Sequence, residues 1–287
     1  MDTSNSRSNS TTKNLMSMDN TILLGAVAYD PKVVTIWEGI REHFQEQGVA
    51  LDFALFSNYE RQVEELLKCH IDIAWNTPLA HVRVRQRTGG ESLSLGMRDS
   101  DRDFHAKLIV RRDSGIQSLK DLAGKTLAIG SSDSTQARIL PLYFLRHEGV
   151  DLRQVKLLPF DAELGKHGDT GSSELDVIRA LHDGRAEAGT VGDLIWVNEQ
   201  AAGHIDANQI EVLWTTPGFD HCMFDAHPSL AREKAESFCR ALFAMRWENP
   251  RHRRLLELEG LREWLPPREE GYLSLQEALK QQEKDEP

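Results

Sequence analysis

The stretch TLAIGSSDSTQARILPLYFLRHEGVDLRQVKLLP, residues 126–159, reads as a strand, a serine-rich turn, a helix and a second strand. Residues 126–129 are a short apolar strand, 136–148 a helix, and 155–159 the next strand. Such alternation is the pattern of α/β proteins with mainly parallel sheets. It continues in both directions. Upstream, strands are expected at 21–28, 50–56, 71–75, 92–97 and 106–111, with helices at 33–47, 59–69 and 78–87. Val33, Ile36, Trp37, Ile40 and Phe44 stand at helical spacing in the first of these helices. Downstream, helices are expected at 173–182, 193–202 and 230–246, and strands at 186–191, 210–215 and, after Pro217-Gly218, 222–226. Residues 247–287 form a charged terminal segment, broken at Pro266-Pro267.

At 287 residues the chain exceeds the ~250 at which single cores stop growing, so two lobes are expected. The two α/β runs with a return strand place residues 21–108 plus 213–287 in lobe 1 and 109–212 in lobe 2, after a disordered Ser/Thr/Asn-rich tail at 1–20. Hydrophobic residues at 40% and charged residues at 28% describe a globular protein. Mean hydropathy is −0.46. No apolar run approaches the ~20 residues of a membrane helix. A net charge of −11, without Lys/Arg clusters interleaved with aromatics, argues against a nucleic-acid partner. Cys69, Cys222 and Cys239 form no CxxC pair, which excludes a disulfide scaffold and a four-cysteine zinc site. The apolar stretch 22–28 has no basic flank, long core or small-residue cleavage site, whether the chain starts at Met1, Met16 or Met18. A cytoplasmic location is therefore expected, and no cofactor.

Several phrases carry a resemblance: Asn58-Tyr59 before a helix, Ile71-Asp72-Ile73-Ala74-Trp75-Asn76-Thr77-Pro78 at a strand end, Ser118-Leu119-Lys120-Asp121-Leu122-Ala123-Gly124-Lys125-Thr126, and the turn 131–135 followed by Pro141-Leu142-Tyr143. Together they resemble the type 2 periplasmic binding proteins, and among them the phosphate/phosphonate-binding components of ABC importers, over roughly residues 21–244. The resemblance implies an α/β clamshell whose lobes are each a mixed, mainly parallel sheet flanked by helices. It implies a small anionic ligand between the lobes and an ABC-transporter permease as partner. The sequence departs from this pattern by lacking an export signal, by carrying Gln136-Ala137-Arg138 where relatives continue with small residues, and by carrying Asp220-His221-Cys222 in the return strand.

The turn 131–135 lies between a strand and a helix, where unpaired N–H groups and the helix dipole favour an anion. Ser132, Ser134, Thr135 and Gln136 are candidate ligand contacts, although Asp133 or Ser134 could simply cap the helix. Arg138 either offsets the Asp133 charge or sits in solvent. Tyr29, Tyr59, Asn76 and Thr77 lie in turns beyond strand ends, where open α/β sheets bind ligands, and the competing reading is ordinary turn chemistry. His167 and Asp169, in a polar loop, are read as ligand contacts or a proton-transfer pair. Asp193 either faces the cleft or caps its helix. His221 is a further contact. On a regular strand it and Cys222 point to opposite faces, so Cys222 is expected to be a structural thiol. His105, His167, His221 and His227 with Asp169 show no recognised ligand spacing, so no metal is expected. The expected function is a solute-binding protein. The alternative is a cytoplasmic dehydratase or decarboxylase of a small carboxylate, using His167, Asp169 and His221 as acid–base candidates.

Overall fold

The computed structural model describes residues 20–161 and 171–285. Its core is two sheets. The first contains β1 (Ile22–Val27), β2 (Leu51–Phe56), β3 (Ile73–Asn76), β4 (Leu93–Arg98), β10 (Met223–Ala226) and β11 (Trp264–Leu265), in the order β11-β4-β10-β3-β1-β2. The second contains β5 (Ala106–Arg111), β6 (Thr126–Ile129), β7 (Lys156–Pro159), β8 (Ala188–Gly192) and β9 (Ile210–Thr215), in the order β7-β6-β8-β5-β9. β1 is parallel to β2 and β3, and β6 to β7 and β8, whereas the return strand β10 runs antiparallel between β3 and β4. Each sheet is thus mixed and mainly parallel in its early strands, as expected for a two-lobed fold of this kind.

Helices supply the outer layers for the reasons the periodicity gave. In α1 (Lys32–Glu46) the stripe Val33, Ile36, Trp37, Ile40 and Phe44 is buried against the first sheet. α2 (Tyr59–Leu67) is capped by Asn58, whose Oδ1 accepts from the Arg61 N–H at 2.9 Å. α3 (Pro78–Arg87) is capped by Thr77 and starts on proline, whose missing N–H costs nothing there. The second lobe carries α4 (Leu140–His147), α5 (Ser172–His182) and α6 (Asp193–Ala201). The helix expected at 136–148 begins differently: Thr135–Ile139 forms a turn of wider, π geometry before α4. The Ala137 carbonyl accepts there from the Gly130 N–H at 2.9 Å and from the Thr190 hydroxyl at 2.6 Å, tying this turn to the strand ends beside it.

Two segments join the lobes. One follows β4, the other precedes β10, and they meet where Phe104 and Phe219 pair as an isolated antiparallel bridge. The domain limits expected at 108/109 and 212/213 fall inside β5 and β9, both strands of the second sheet. The terminal segment, which carried no pattern in the sequence, forms α8 (Pro250–Glu259) after α7 (Arg232–Leu242), then β11 and α9 (Leu273–Asp285). α9 lies across both lobes. Leu275 and Ala278 share a buried cluster with Leu79 and Val82 of α3 and with Leu140 and Tyr143 of α4. The Tyr143 hydroxyl donates to Glu277 at 2.9 Å.

Candidate functional site

β1, β3 and β4 run in the same direction, so the turns after Val27, Asn76 and Arg98 emerge on one edge of the first sheet. They face the ends of β6 and β8 from the second lobe across a cavity of about 410 Å³. Tyr29, Tyr59, Trp75, Thr77, Arg98 and Arg102 line it from one side, Gln136, Glu174, Asp193 and Leu194 from the other, with Phe104, His221 and Cys222 at the crossing. A second cavity of about 560 Å³ adjoins it, lined by Asn58, Arg61, Arg83, Ser132 and Asp133 among others. Tyr59 and Thr77 border both. We take the smaller one as the centre of the site, because the strand ends of both sheets converge there.

Of the candidates from sequence, Tyr29, Tyr59, Thr77, Gln136, Asp193 and His221 line this inner cavity, and Ser132 lines the outer one. Desolvation, with Glu259 close by, holds the Tyr29 hydroxyl above the usual phenol range, so it stays a proton donor. Asp193 opens α6, and its carboxylate is engaged by Lys107 Nζ at 2.6 Å and by the His105 N–H at 3.0 Å. Asn76 is placed differently from expectation: it is buried beneath the wall, donating to Asp225 at 2.8 Å and accepting from Gln62 at 2.8 Å. Ser134 and Thr135 are buried and border neither cavity. Ser134 Oγ caps the turn by accepting from the Ala137 N–H at 3.1 Å. Ser131 Oγ and Thr135 Oγ1, both buried, find no hydrogen-bond partner among the described residues. Arg138 pairs with Asp161 at 3.2 Å and not with Asp133, whose buried Oδ1 finds no hydrogen-bond partner among the described residues. His167 and Asp169 lie outside the described residues.

The expected opposition of His221 and Cys222 does not hold. β10 begins only at Met223, so both residues precede the regular strand, and His221 Nδ1 lies 3.1 Å from Cys222 Sγ. Both side chains line the cavity. Asp101, from the segment after β4, completes a group in which the Asp101, His221 and Cys222 donor atoms lie within 4.8 Å of one another.

Sequence reasoning missed Arg98, Arg102, Glu174 and Glu259. Arg98 holds Asp101 through two bonds of 2.7 and 2.8 Å and, against desolvation, its charge keeps that buried carboxyl well below its usual range. Glu259 accepts from Trp75 Nε1 at 3.0 Å, and burial raises its pKa against the pull of Arg98. Glu174 is likewise raised by burial, while accepting from the Gly192 N–H at 2.6 Å and from Gln136 Nε2 at 3.1 Å. The signal for Arg98 and Arg102 was present: a charged run begins where a parallel strand ends.

A family model described as "ABC transporter, phosphonate, periplasmic substrate-binding protein" matches residues 26–272. Among curated proteins, the "probable ABC transporter phosphite binding protein PhnD1" of Prochlorococcus marinus (strain MIT 9301) is 23% identical over 247 residues, covering 83% of this chain and 80% of that protein. The structure of that organism's PhnD1 in complex with methylphosphonate superposes with a TM-score of 0.72 at 20% identity, covering 92% of this chain and 99% of the other. XAC2383 from Xanthomonas citri bound to ATP gives a TM-score of 0.72 at 19% identity, covering 93% and 98%. These similarities establish the two-lobed fold.

Proposed function

The chain belongs to the family of phosphonate-binding periplasmic components of ABC transporters, and we propose that it traps a small phosphorus oxyanion, phosphonate- or phosphate-like, between its lobes. The observation that carries this reading is the cavity of about 410 Å³ where the strand ends of both sheets converge; behind its wall the buried Ser131 Oγ and Thr135 Oγ1 lack a partner among the described residues, and closure of the lobes has to bring the ligand within their reach. An unpartnered buried hydroxyl costs free energy, and an anion seated on the turn repays that cost through charge-assisted bonds. Ser134 contributes its hydroxyl hydrogen while still capping the turn. Tyr29, Tyr59 and Thr77 close from the first lobe. Arg102, whose Nε is buried without a partner among the described residues, supplies positive charge to an otherwise acidic protein.

Calorimetry with methylphosphonate, phosphite and phosphate tests the turn. Replacing Thr135 by Ala should weaken the best ligand by about 10- to 150-fold, the equivalent of ~1.5–3 kcal/mol for one charge-assisted bond. Replacing Ser131 as well should weaken it further, with little change in melting temperature. Undiminished affinity in the double variant would remove the turn from the site. Recovery of the ligand unaltered after prolonged incubation supports a binder over an enzyme. The permease partner follows from the family. Its periplasmic description and the cytoplasmic location expected from the sequence are distinguished by fractionating cells that produce the full chain.

A further inference from the structure

We propose that Asp101, His221 and Cys222 form a binding site for a divalent transition-metal ion of the zinc class at the wall of the cleft. His221 Nδ1 lies 3.1 Å from Cys222 Sγ and 3.5 Å from Asp101 Oδ1. Two ligands on one tetrahedral zinc, at bond lengths of about 2.0–2.3 Å, stand about 3.3–3.6 Å apart, so both His221 pairs are already near ligand spacing, while the Asp101 and Cys222 donor atoms, within 4.8 Å of one another, have to draw together on the ion. Nitrogen, sulfur and carboxylate oxygen together suit zinc better than calcium or magnesium.

A second observation, independent of these distances, fixes which imidazole nitrogen is available. Gln136 Nε2 donates to the Glu174 carboxylate at 3.1 Å, and this turns Gln136 Oε1 toward His221 Nε2 at 3.3 Å. A carbonyl oxygen only accepts, so Nε2 donates there, and in the neutral imidazole the Nδ1 lone pair then faces the thiol and Asp101. Fixing a ligating histidine through its far nitrogen is what metal sites require. The backbone is held as firmly: the His221 N–H donates to the Asp101 carbonyl at 2.8 Å, and the Tyr272 hydroxyl to the His221 carbonyl at 2.8 Å. Arg98 orients Asp101 and is itself near Glu259 at 3.7 Å. Binding replaces the S–H bond by a metal–sulfur bond and releases the thiol proton to solvent, so affinity rises with pH. The remaining coordination position opens on the cavity.

The test uses the full chain carrying Cys69→Ser, because exposed Cys69 lies 3.4 Å from His227 and is a competing thiol–imidazole pair. Titration with cobalt(II) should give a thiolate-to-metal charge-transfer band at one equivalent, and zinc should displace it. Gln136→Ala should weaken cobalt and zinc binding by about 10- to 100-fold, and Cys222→Ser should abolish the band. Circular dichroism establishes that each variant is folded. Should Cys222→Ser not fold, the band and its response to Gln136→Ala decide. Absence of the band, or a band of equal strength in folded Cys222→Ser protein, overturns the proposal.

Discussion

Gly271 has no room for a side chain. A Cβ built there would run into the carboxyl of Asp220, whose N–H donates to the Gly271 carbonyl at 3.0 Å and whose Oδ2 accepts from Arg268 Nε at 2.8 Å. Gly271→Ala therefore should destabilise the protein by about 1–3 kcal/mol, as overpacking does, with Asp220 pushed off Arg268. The melting temperature should drop by several degrees, and a drop under one degree would show that the segment gives way freely. At this scale the sequence was informative where chemistry is local. Tyr29, Tyr59 and Thr77 were legible as residues that line the cavity because each follows a strand whose direction the alternation predicts. Arg98 and Glu259 were not, because the Arg98 guanidinium reaches the Glu259 carbonyl across 161 residues of chain. Asn76 misled for the opposite reason: its place in the chain suits a wall residue, but Gln62 and Asp225 claim its amide.

Between elements, the joint of α3 with β10 carries a buried ion pair. His81 Nδ1 lies 2.8 Å from Asp225 Oδ1, both side chains fully buried, and Nε2 lies 3.6 Å from Glu269. Burial alone would lower the His81 pKa, but Asp225 and then Glu269 outweigh it and raise it to about 9. The protonated His81 beside it lowers the half-buried Glu269 to about 2, against the desolvation that opposes it. A raised histidine stabilises fully below its unfolded value of about 6.5, and that stability is lost as pH rises through 9. The contribution is roughly 3 kcal/mol at most. Glu269 acts in the other direction, stabilising above about 4.5 and failing only as pH falls through 2. Melting temperatures of the wild type and His81→Gln, measured from pH 5 to 10, should differ most near pH 5–6 and converge toward pH 10. A constant gap would mean that His81 is neutral in the fold. Most elements were legible from periodicity to within a residue or two. The π-shaped turn at Thr135–Ile139 was not, because its width depends on Gly130 and Thr190 reaching the Ala137 carbonyl from two other strand ends.

At the scale of the molecule, two α/β runs and a return strand could be read from the sequence because each repeats a pattern of period two or 3.6. The terminal elements could not, because α8 and α9 earn their places through contacts rather than through any local pattern. Lobes joined by two segments near Phe104 and Phe219 should close as hinged bodies. Small-angle scattering of the protein with saturating methylphosphonate should give a smaller radius of gyration than the free protein. An unchanged radius at saturation verified by calorimetry would argue that the cleft does not open in solution. The helix lying across both lobes on Leu79, Leu140 and Tyr143 adds a constraint of its own. Any rotation that narrows the front must also slide these side chains over one another at the rear. Tyr143 and Leu275 border neither cavity, so Tyr143→Ala or Leu275→Ala should change how fast a bound ligand leaves while the ranking of ligands by affinity stays as in the wild type, as off-rates and calorimetry on each variant will check.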